Sequence, residues 1–186
     1  QVQGLFGSGS GAVAIVLDAS GSMGAAPGKS FGPDAKYAEA LRALGDVLAE
    51  LPDGIQLSIW VFGQATGQQK TVRHAEDTIR QMVPPTIWNT RDQGQAAELL
   101  KRLAWPNVEP WNESPIVDAV LAAKQDVISH AGFKTVVLLT DGMDNRYQQK
   151  NGVTDTVPEA LKSAFDNSGV VLNIVGFKVA SREQKT

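Results

Sequence analysis

The sequence predicts a doubly wound α/β domain in which helices flank a mostly parallel central sheet. Two observations carry this prediction. Apolar runs of strand length alternate with amphipathic segments of helix length, and Gly or Pro residues separate them. The apolar runs are continuous, as in parallel strands that are covered on both faces. The 186 residues, 42% of them hydrophobic and 20% charged, suffice for one domain with a sizeable core.

The first part of the chain is expected to hold one strand and one long helix. Residues 1–11 are rich in Gly and Ser and are interpreted as a lead-in or linker. Residues 12–17 are continuously apolar and predict the first strand, and the Gly/Pro-rich residues 23–33 predict a loop. Asp34 is a candidate N-cap of a helix that continues to about Leu51. The apolar residues of this helix keep helical spacing: Ala38, Leu41, Leu44, Leu48 and Leu51.

The middle of the chain is expected to add a second buried strand and two further helices. Residues 55–62 predict the strand, and residues 70–74 are a candidate short edge strand. Residues 75–83 have the pattern of a short helix that the following pair of prolines would stop. Residues 93–103 have the pattern of another helix.

A loop that contains Pro and Trp residues leads to the next predicted helix. Ser114 is a candidate N-cap of this helix, and Pro115 would take the first helical position, where its missing N–H costs no hydrogen bond. The apolar residues of the helix are Ile116, Val120, Leu121, Val127 and Ile128. The remaining predicted elements are a strand over 134–141, a helix over 157–167 and a strand over 169–178.

Oxygen-bearing side chains follow two of the predicted strands. Asp18, Ser20 and Ser22 form a D-x-S-x-S motif after the first strand, Asp141 ends a later strand, and Ser114 begins a helix. Because ligands bind beyond the carboxyl ends of strands in such sheets, we expect these side chains to lie at one place. Two carboxylates and three hydroxyls, with no nitrogen or sulfur, are a donor set for a hard cation such as Mg²⁺.

Three segments, VAIVLDASGSM, ESPIVDAV and VVLLTDG, resemble the von Willebrand factor type A domain with a metal-ion-dependent adhesion site. The resemblance implies that Ser20, Ser22 and the hydroxyl at position 114 ligate the metal, and that Asp18 and Asp141 act directly or through water. It also implies that a partner protein supplies an Asp or Glu to the ion, which would be Mg²⁺ or Mn²⁺, with Ca²⁺ as another option. The family usually has Thr where this chain has Ser114, so the hydroxyl is kept.

The same resemblance sets expectations for the ends of the chain. The domain is expected to cover residues 12–180. Members of the family usually carry a last helix after the final strand, whereas here only residues 181–186 follow, as a tail or the start of a truncated helix. The family likeness also favours a bacterial protein with an extracytoplasmic location, such as a periplasmic, secreted or membrane-anchored parent protein.

The resemblance and the donor set together predict a binding module and not an enzyme. The loops over residues 23–34, 88–91 and 105–113 would form the contact surface around the metal. Trp105 and Trp111 are expected to be anchored in the body of the domain, with an aromatic rim around the metal as the alternative. The sequence is also compatible with a module of an enzyme or chaperone assembly, and with a structural domain whose metal site is occupied but unused.

Composition and spacing argue against several other functions. A net charge of −3 and a pI near 5.4 argue against general nucleic-acid binding, and no apolar run is long enough to insert into a membrane. The chain has no Cys, so disulfides and thiolate metal sites are excluded. Residues 24–30 resemble a phosphate-binding loop, but three residues separate the glycines where that motif needs four, and no helix opens after it.

Phosphoryl transfer is also disfavoured by the residues around the motif. A phosphotransferase that used Asp18 as its nucleophile would usually carry a second acidic residue two positions on, where this chain has Ser20. No His or Lys is paired with the motif in the sequence, so hydrolysis would lack a base.

Overall fold

A five-stranded sheet organises the protein in this computed structural model, which describes residues 10–24, 35–141 and 157–176. The strands are β1 (Gly11–Asp18), β2 (Gln56–Phe62), β3 (Arg80–Ile87), β4 (Phe133–Thr140) and β5 (Val171–Gly176). The α-helices are α1 (Lys36–Glu50), α2 (Gln93–Leu103), α3 (Ile116–Val127) and α4 (Val157–Phe165). Short 3₁₀ turns cover Gly21–Met23 and Ala75–Thr78.

The strand order is β3-β2-β1-β4-β5. The pairs β1–β2, β1–β4 and β4–β5 are parallel, and only β2–β3 is antiparallel. The predicted fold, a mostly parallel α/β sheet flanked by helices, is therefore confirmed. The chain builds outward from β1 in both directions, so the strand order reverses between β1 and β4, and a crevice opens at their carboxyl ends.

Two apolar cores cover the two faces of the sheet. Every residue of β1 is buried, because this strand lies in the middle of the sheet. Its alternate side chains point to opposite faces, so it contributes to both cores. On one face Val13, Ile15 and Leu17 pack with α1 and α2, and on the other Ala12, Ala14 and Val16 pack with α3 and α4.

The predicted helix over residues 75–83 is wrong. A short 3₁₀ turn over Ala75–Thr78 is followed by β3, which contains both Pro84 and Pro85. Proline cannot donate a hydrogen bond to a sheet ladder, so a strand tolerates it only at an edge or a bulge. β3 is an edge strand of the described sheet, and its register with β2 shifts on both sides of Ile59. The edge position explains how two prolines fit a strand.

Smaller differences concern the ends and faces of other elements. Residues 70–74 form an irregular loop and not an edge strand. α3 begins at Ile116 with Pro115 as its N-cap, because Pro115 has φ −81° and ψ 60°, so Ser114 precedes the cap. The buried face of α1 includes Tyr37, Ala40 and Val47 besides the predicted leucines, whereas Ala38 and Leu41 are half-buried.

Some expectations fall outside the described residues. They are the N-cap at Asp34, most of the loop over 23–33, and the tail over 181–186. The domain limits at residues 12 and 180 therefore stay predictions. No helix in the described part of the chain combines the length and the apolar character that a bilayer span requires.

We expect Leu44→Ala to lower the free energy of unfolding by about 2–5 kcal/mol, because this fully buried side chain of α1 would leave a cavity against the sheet. The matched control is Asp46→Ala, an exposed position on the same helix, with an expected change within about 0.5 kcal/mol. Urea unfolding measures both. Equal effects of the two variants would contradict this account of the core.

Candidate metal site

The carboxyl ends of β1 and β4 bring two aspartates together. Asp18 is the last residue of β1, and Asp141 directly follows β4. The two strands are paired in parallel up to Leu17 and Leu139, one and two residues before these aspartates. The loop that carries Ser20 begins directly after Asp18, and the N–H of Ala19 donates to the carbonyl of Phe62 at the end of β2. The structure therefore places the motif in the crevice where the strand order reverses.

Asp18 is fully buried and both of its carboxylate oxygens are hydrogen-bonded. Oδ1 accepts a hydrogen bond from the backbone N–H of Ser20 at 2.8 Å, and Oδ2 accepts one from the hydroxyl of Thr140 at 2.6 Å. The first bond shapes the motif loop, and the second joins β1 to β4 at their ends. Asp18 thus positions the site as well as contributing charge to it.

Burial raises the pKa of the Asp18 carboxyl above its ordinary value. The hydrogen bonds from Ser20 and Thr140 oppose this shift, and the nearby charge of Asp141 adds to it. A cation beside a buried carboxylate favours its charged form. The environment of Asp18 is therefore one in which a bound cation would be stabilising.

Three side-chain oxygens form a connected line beside Asp18. The hydroxyls of Ser20 and Ser22 share a hydrogen bond, with 3.1 Å between their oxygens. The Ser22 hydroxyl donates to Oδ1 of Asp141 at 3.0 Å. The other oxygen of Asp141, Oδ2, accepts a hydrogen bond from the Lys36 ammonium at 2.6 Å.

The spacing and chemistry of these oxygens fit a hard divalent cation. Neighbouring ligands in a Mg²⁺ octahedron are about 2.9 Å apart, given metal–oxygen distances of about 2.0–2.1 Å. The two oxygen–oxygen distances along the line, 3.1 and 3.0 Å, are close to that edge length. Within the described residues no three His, Cys, Asp or Glu side chains come together, so a metal here would depend on the serine hydroxyls.

The segment that precedes Ser114 is attached to the same end of the sheet through its backbone, whereas the position of Ser114 as a ligand stays a prediction. Asn112 lies two positions before Ser114, and its carbonyl accepts a hydrogen bond from the N–H of Gly21 at 2.8 Å. The N–H of Asn112 donates to the carbonyl of Gly63 at 2.6 Å. Four of the predicted ligands are therefore held directly around the crevice, and the segment that carries Ser114 is attached to the motif loop.

Two glycines allow these loops to approach so closely. A Cβ on Gly21 would lie 2.9 Å from the carbonyl oxygen of Trp111. Gly63 has φ +81°, and a Cβ there would lie 2.7 Å from the backbone of Ser20. Larger residues would push the loops apart, so the glycine inside the motif has a packing role.

The side chain of Asn112 joins two further parts of the same surface. Its Oδ1 accepts a hydrogen bond from the N–H of Val72 at 3.1 Å. Its Nδ2 donates to the carbonyls of Gln64 and Lys70, each at 2.9 Å. Both polar atoms of the Asn112 side chain thus hold the loops after β2 and before α3 against each other.

Sequence patterns did not identify three residues of this site. Thr140 directly precedes Asp141 at a strand end, and that position was the available signal for it. Lys36 and Asn112 gave no local signal, because their roles depend on contacts with distant parts of the chain. The expectation that no Lys accompanies the motif is wrong, since Lys36 contacts Asp141.

The loops predicted to surround the metal lie at opposite ends of the strands. The segment before Ser114 lies at the site, as expected. The loop over 88–91 does not, because β3 runs antiparallel and Ile87 pairs with Gln56 at the start of β2. The N–H of Trp88 accordingly donates to the carbonyl of Ile55, just before the start of β2, whereas Asp18 lies at the carboxyl end of β1. Residues 25–34 lie outside the described part of the chain.

Trp105 is 53% exposed, against the expectation that it is anchored in the body of the domain. Trp111 is 46% exposed, but its indole N–H donates to the Thr71 hydroxyl at 3.0 Å, so it is held by a neighbouring loop. The backbone N–H of Trp111 lies 3.3 Å from the carbonyls of Ala19 and Gly63, so this residue adjoins the motif loop. The Lys70 ammonium lies 4.7 Å from the centre of its ring. The backbone of Trp111 therefore adjoins the motif loop, and its partly exposed ring lies against Lys70 and Thr71.

We expect Asn112→Ala to lower the free energy of unfolding by about 1–3 kcal/mol, because three hydrogen bonds to the backbone would be lost, those to Val72, Gln64 and Lys70. Asn107→Ala is the control, since it removes a single exposed hydrogen bond to the carbonyl of Lys101 and should cost about 1 kcal/mol or less. Urea unfolding compares the two. A smaller loss for Asn112→Ala than for the control would contradict its role as a connector.

Comparison with solved structures finds related folds. BatB from Bacteroides thetaiotaomicron superposes with a TM-score of 0.59 at 20% identity, over 89% of this chain and 66% of its own. Proximal thread matrix protein 1 from the mussel byssus, whose MIDAS motif is occupied by zinc, gives a TM-score of 0.59 at 18% identity, over 90% of this chain and 36% of its own.

A third similar structure, von Willebrand factor type A from Catenulispora acidiphila, gives a TM-score of 0.51 at 17% identity, over 90% of this chain and 39% of its own. No family model and no curated protein matches the sequence. The superpositions with these three proteins cover less than two thirds of the length of each of them. The sheet order, the helices on both faces and these superpositions together show that this chain has the fold of a von Willebrand factor type A domain.

Proposed function

We propose that this chain is a divalent-metal-dependent protein-binding module and not an enzyme. In this proposal Asp18, Ser20, Ser22, Ser114 and Asp141 hold Mg²⁺ or Mn²⁺, and a partner protein supplies an Asp or Glu. The observation that carries it is the connected line of oxygens from Ser20 through Ser22 to Asp141, with separations of 3.1 and 3.0 Å.

The donor types support binding of a partner carboxylate. Two carboxylates match the charge of a divalent ion, whereas hydroxyl ligands are neutral and leave the ion electrophilic, so that it can accept a further carboxylate. Ser20 and Ser22 supply the hydroxyls, and Asp18 holds their loop through its bond to the N–H of Ser20. The likeness to the mussel protein with its zinc-occupied MIDAS motif supports the same assignment.

The hydrogen bonds of the two motif serines support binding over catalysis. In the described residues Ser22 donates to a carboxylate, and the hydroxyl of Ser20 bonds to another hydroxyl. Among the described residues no His is hydrogen-bonded to either serine, so neither has the Ser–His pairing that commonly activates a serine nucleophile. The Lys36 ammonium donates to Asp141 and is engaged there.

The exposed surface around the site supports a protein as the partner. Trp111, which is 46% exposed, adjoins the motif loop, and Trp is enriched at the centres of protein interfaces. A partner that presents a carboxylate to the metal could pack against this side chain. An extracytoplasmic location goes with this proposal and rests on the likeness to the family.

The test is a thermal-unfolding titration with EDTA, Mg²⁺, Mn²⁺ and Ca²⁺. A metal that binds only the folded state adds about 2.7 kcal/mol at a hundredfold excess over Kd, which raises Tm by about 5–11 °C for a chain of this size. We expect this rise in the wild type and its loss in Asp18→Ala/Ser20→Ala. Ser129→Ala, at an exposed position beyond the end of α3, is the control and should respond like the wild type. A wild-type Tm that no metal changes would contradict the proposal.

Asp18→Asn should separate stability from metal binding. The raised pKa means that the folded, metal-free protein holds the Asp18 proton more tightly than the unfolded chain does. Its stability contribution is therefore present below the ordinary pKa and is lost as pH rises through the raised one. In EDTA, Asp18→Asn should therefore lose less stability than the wild type as pH rises, while the metal-dependent rise in Tm disappears.

Two measurements check this prediction. Urea unfolding in EDTA from pH 4 to 8 should show a smaller loss of stability with rising pH for Asp18→Asn than for the wild type. A thermal scan with Mg²⁺ should show no stabilisation of the variant. An equal loss of stability with rising pH in the variant and the wild type would contradict the assignment of this loss to Asp18.

A further inference from the structure

An ammonium group lies against one of the two carboxylates of the candidate metal site. Nζ of Lys36 is 2.6 Å from Oδ2 of Asp141, and the pair joins positions 105 residues apart in the chain. The Asp141 side chain is 3% exposed and the Lys36 side chain 23% exposed. This is a largely buried ion pair, and such a pair is costly to break because the remaining charge stays buried.

Lys36 and Ser22 bind different oxygens of Asp141. Oδ1 of Asp141 accepts from Ser22, and Oδ2 accepts from Lys36. Asp18, the second carboxylate, is hydrogen-bonded only to uncharged donors among the described residues. Without a metal, Lys36 therefore neutralises one of the two negative charges of the site and fixes the orientation of Asp141.

We propose that Lys36 is a tethered counter-cation that holds Asp141 in place in the metal-free protein and lowers the affinity of the site for divalent metal. The inference rests on the proposed function, because it concerns the same site. The Lys36 ammonium and the incoming ion are both positive and share one carboxylate, so they repel each other across a few ångströms. An interaction that stabilises the metal-free state more than the bound state weakens binding by the same factor.

Lys36 has a second consequence for the free protein. A buried carboxylate without a partner would be strongly unfavourable. By pairing with Asp141, Lys36 at the start of α1 links this helix to the end of β4 before any metal arrives. The site is thus kept in a folded form that is ready for metal, at the expense of affinity.

The test uses Lys36→Met, which keeps the length of the side chain and removes its charge. Calorimetric titration with Mn²⁺ should show a Kd at least about fivefold lower than in the wild type, because the repulsion is gone. In EDTA the same variant should unfold at a lower temperature. Lys36→Arg keeps the charge and should bind Mn²⁺ within about twofold of the wild type.

Lys70→Met is the matched control. Lys70 also pairs with a carboxylate, Glu109, at 3.0 Å, but that carboxylate is not one of the proposed ligands. Its removal changes the net charge by the same amount and should leave the Kd for Mn²⁺ within about twofold, because exposed charges are screened by salt. Lys36→Gln carries the same prediction as Lys36→Met and serves if the latter does not fold in EDTA.

The outcomes separate this inference from the proposed function. If the wild type binds Mn²⁺ and Lys36→Met binds it equally or more weakly, Lys36 is not a competitor and the inference is overturned alone. If Lys36→Met binds Mn²⁺ and the wild type does not, the inference holds and the proposed function of the wild-type site fails. If neither protein binds metal, both are overturned.

Discussion

β1 and β4 lie side by side in the middle of the sheet, and their parallel pairing is the constraint on which the site depends. Leu17 lies opposite Leu139, so the residues that follow both strands emerge at the same edge. The bond from Thr140 to Asp18 closes this edge with a hydrogen bond between buried side chains. The pairing places the two carboxylates together although Thr140, the residue before Asp141, is 122 positions from Asp18.

The loops around the crevice are held together mainly by hydrogen bonds to backbone N–H and carbonyl groups. Gly21 and Gly63 have no side chains, so the loops that contain them can approach closely. Asn112 is hydrogen-bonded to both of these loops. A ligand set assembled in this way is organised before any ion binds, so little conformational entropy is lost on binding. Such a fixed arrangement of loops suits the proposed binding of a partner, because specificity in binding depends on fixed geometry.

Local patterns predicted the parts of the structure that depend on local chemistry. Continuous apolar runs identified the parallel strands, although in β5 Val171 and Ile174 are more than half exposed and the expected burial on both faces is wrong there. The polar residues at the carboxyl ends of β1 and β4, Asp18 and Asp141, marked the end of the sheet where the candidate site lies. β3 was missed because its prolines argue against a strand unless the strand is known to lie at an edge. Lys36 and Asn112 were missed for a related reason, since their contacts arise only when distant segments pack together.

The two prolines of β3 also affect how copies of the protein can meet. An edge strand with free N–H groups is a template for pairing with another chain, and proline removes those groups. With Pro84 and Pro85 in succession, this side of the sheet is poorly suited to join the sheet of a second molecule. Edge-to-edge aggregation is disfavoured there. Copies of this domain at high local concentration would therefore not join through β3. This strand lies at one side of the sheet, away from the candidate metal site at the ends of β1 and β4.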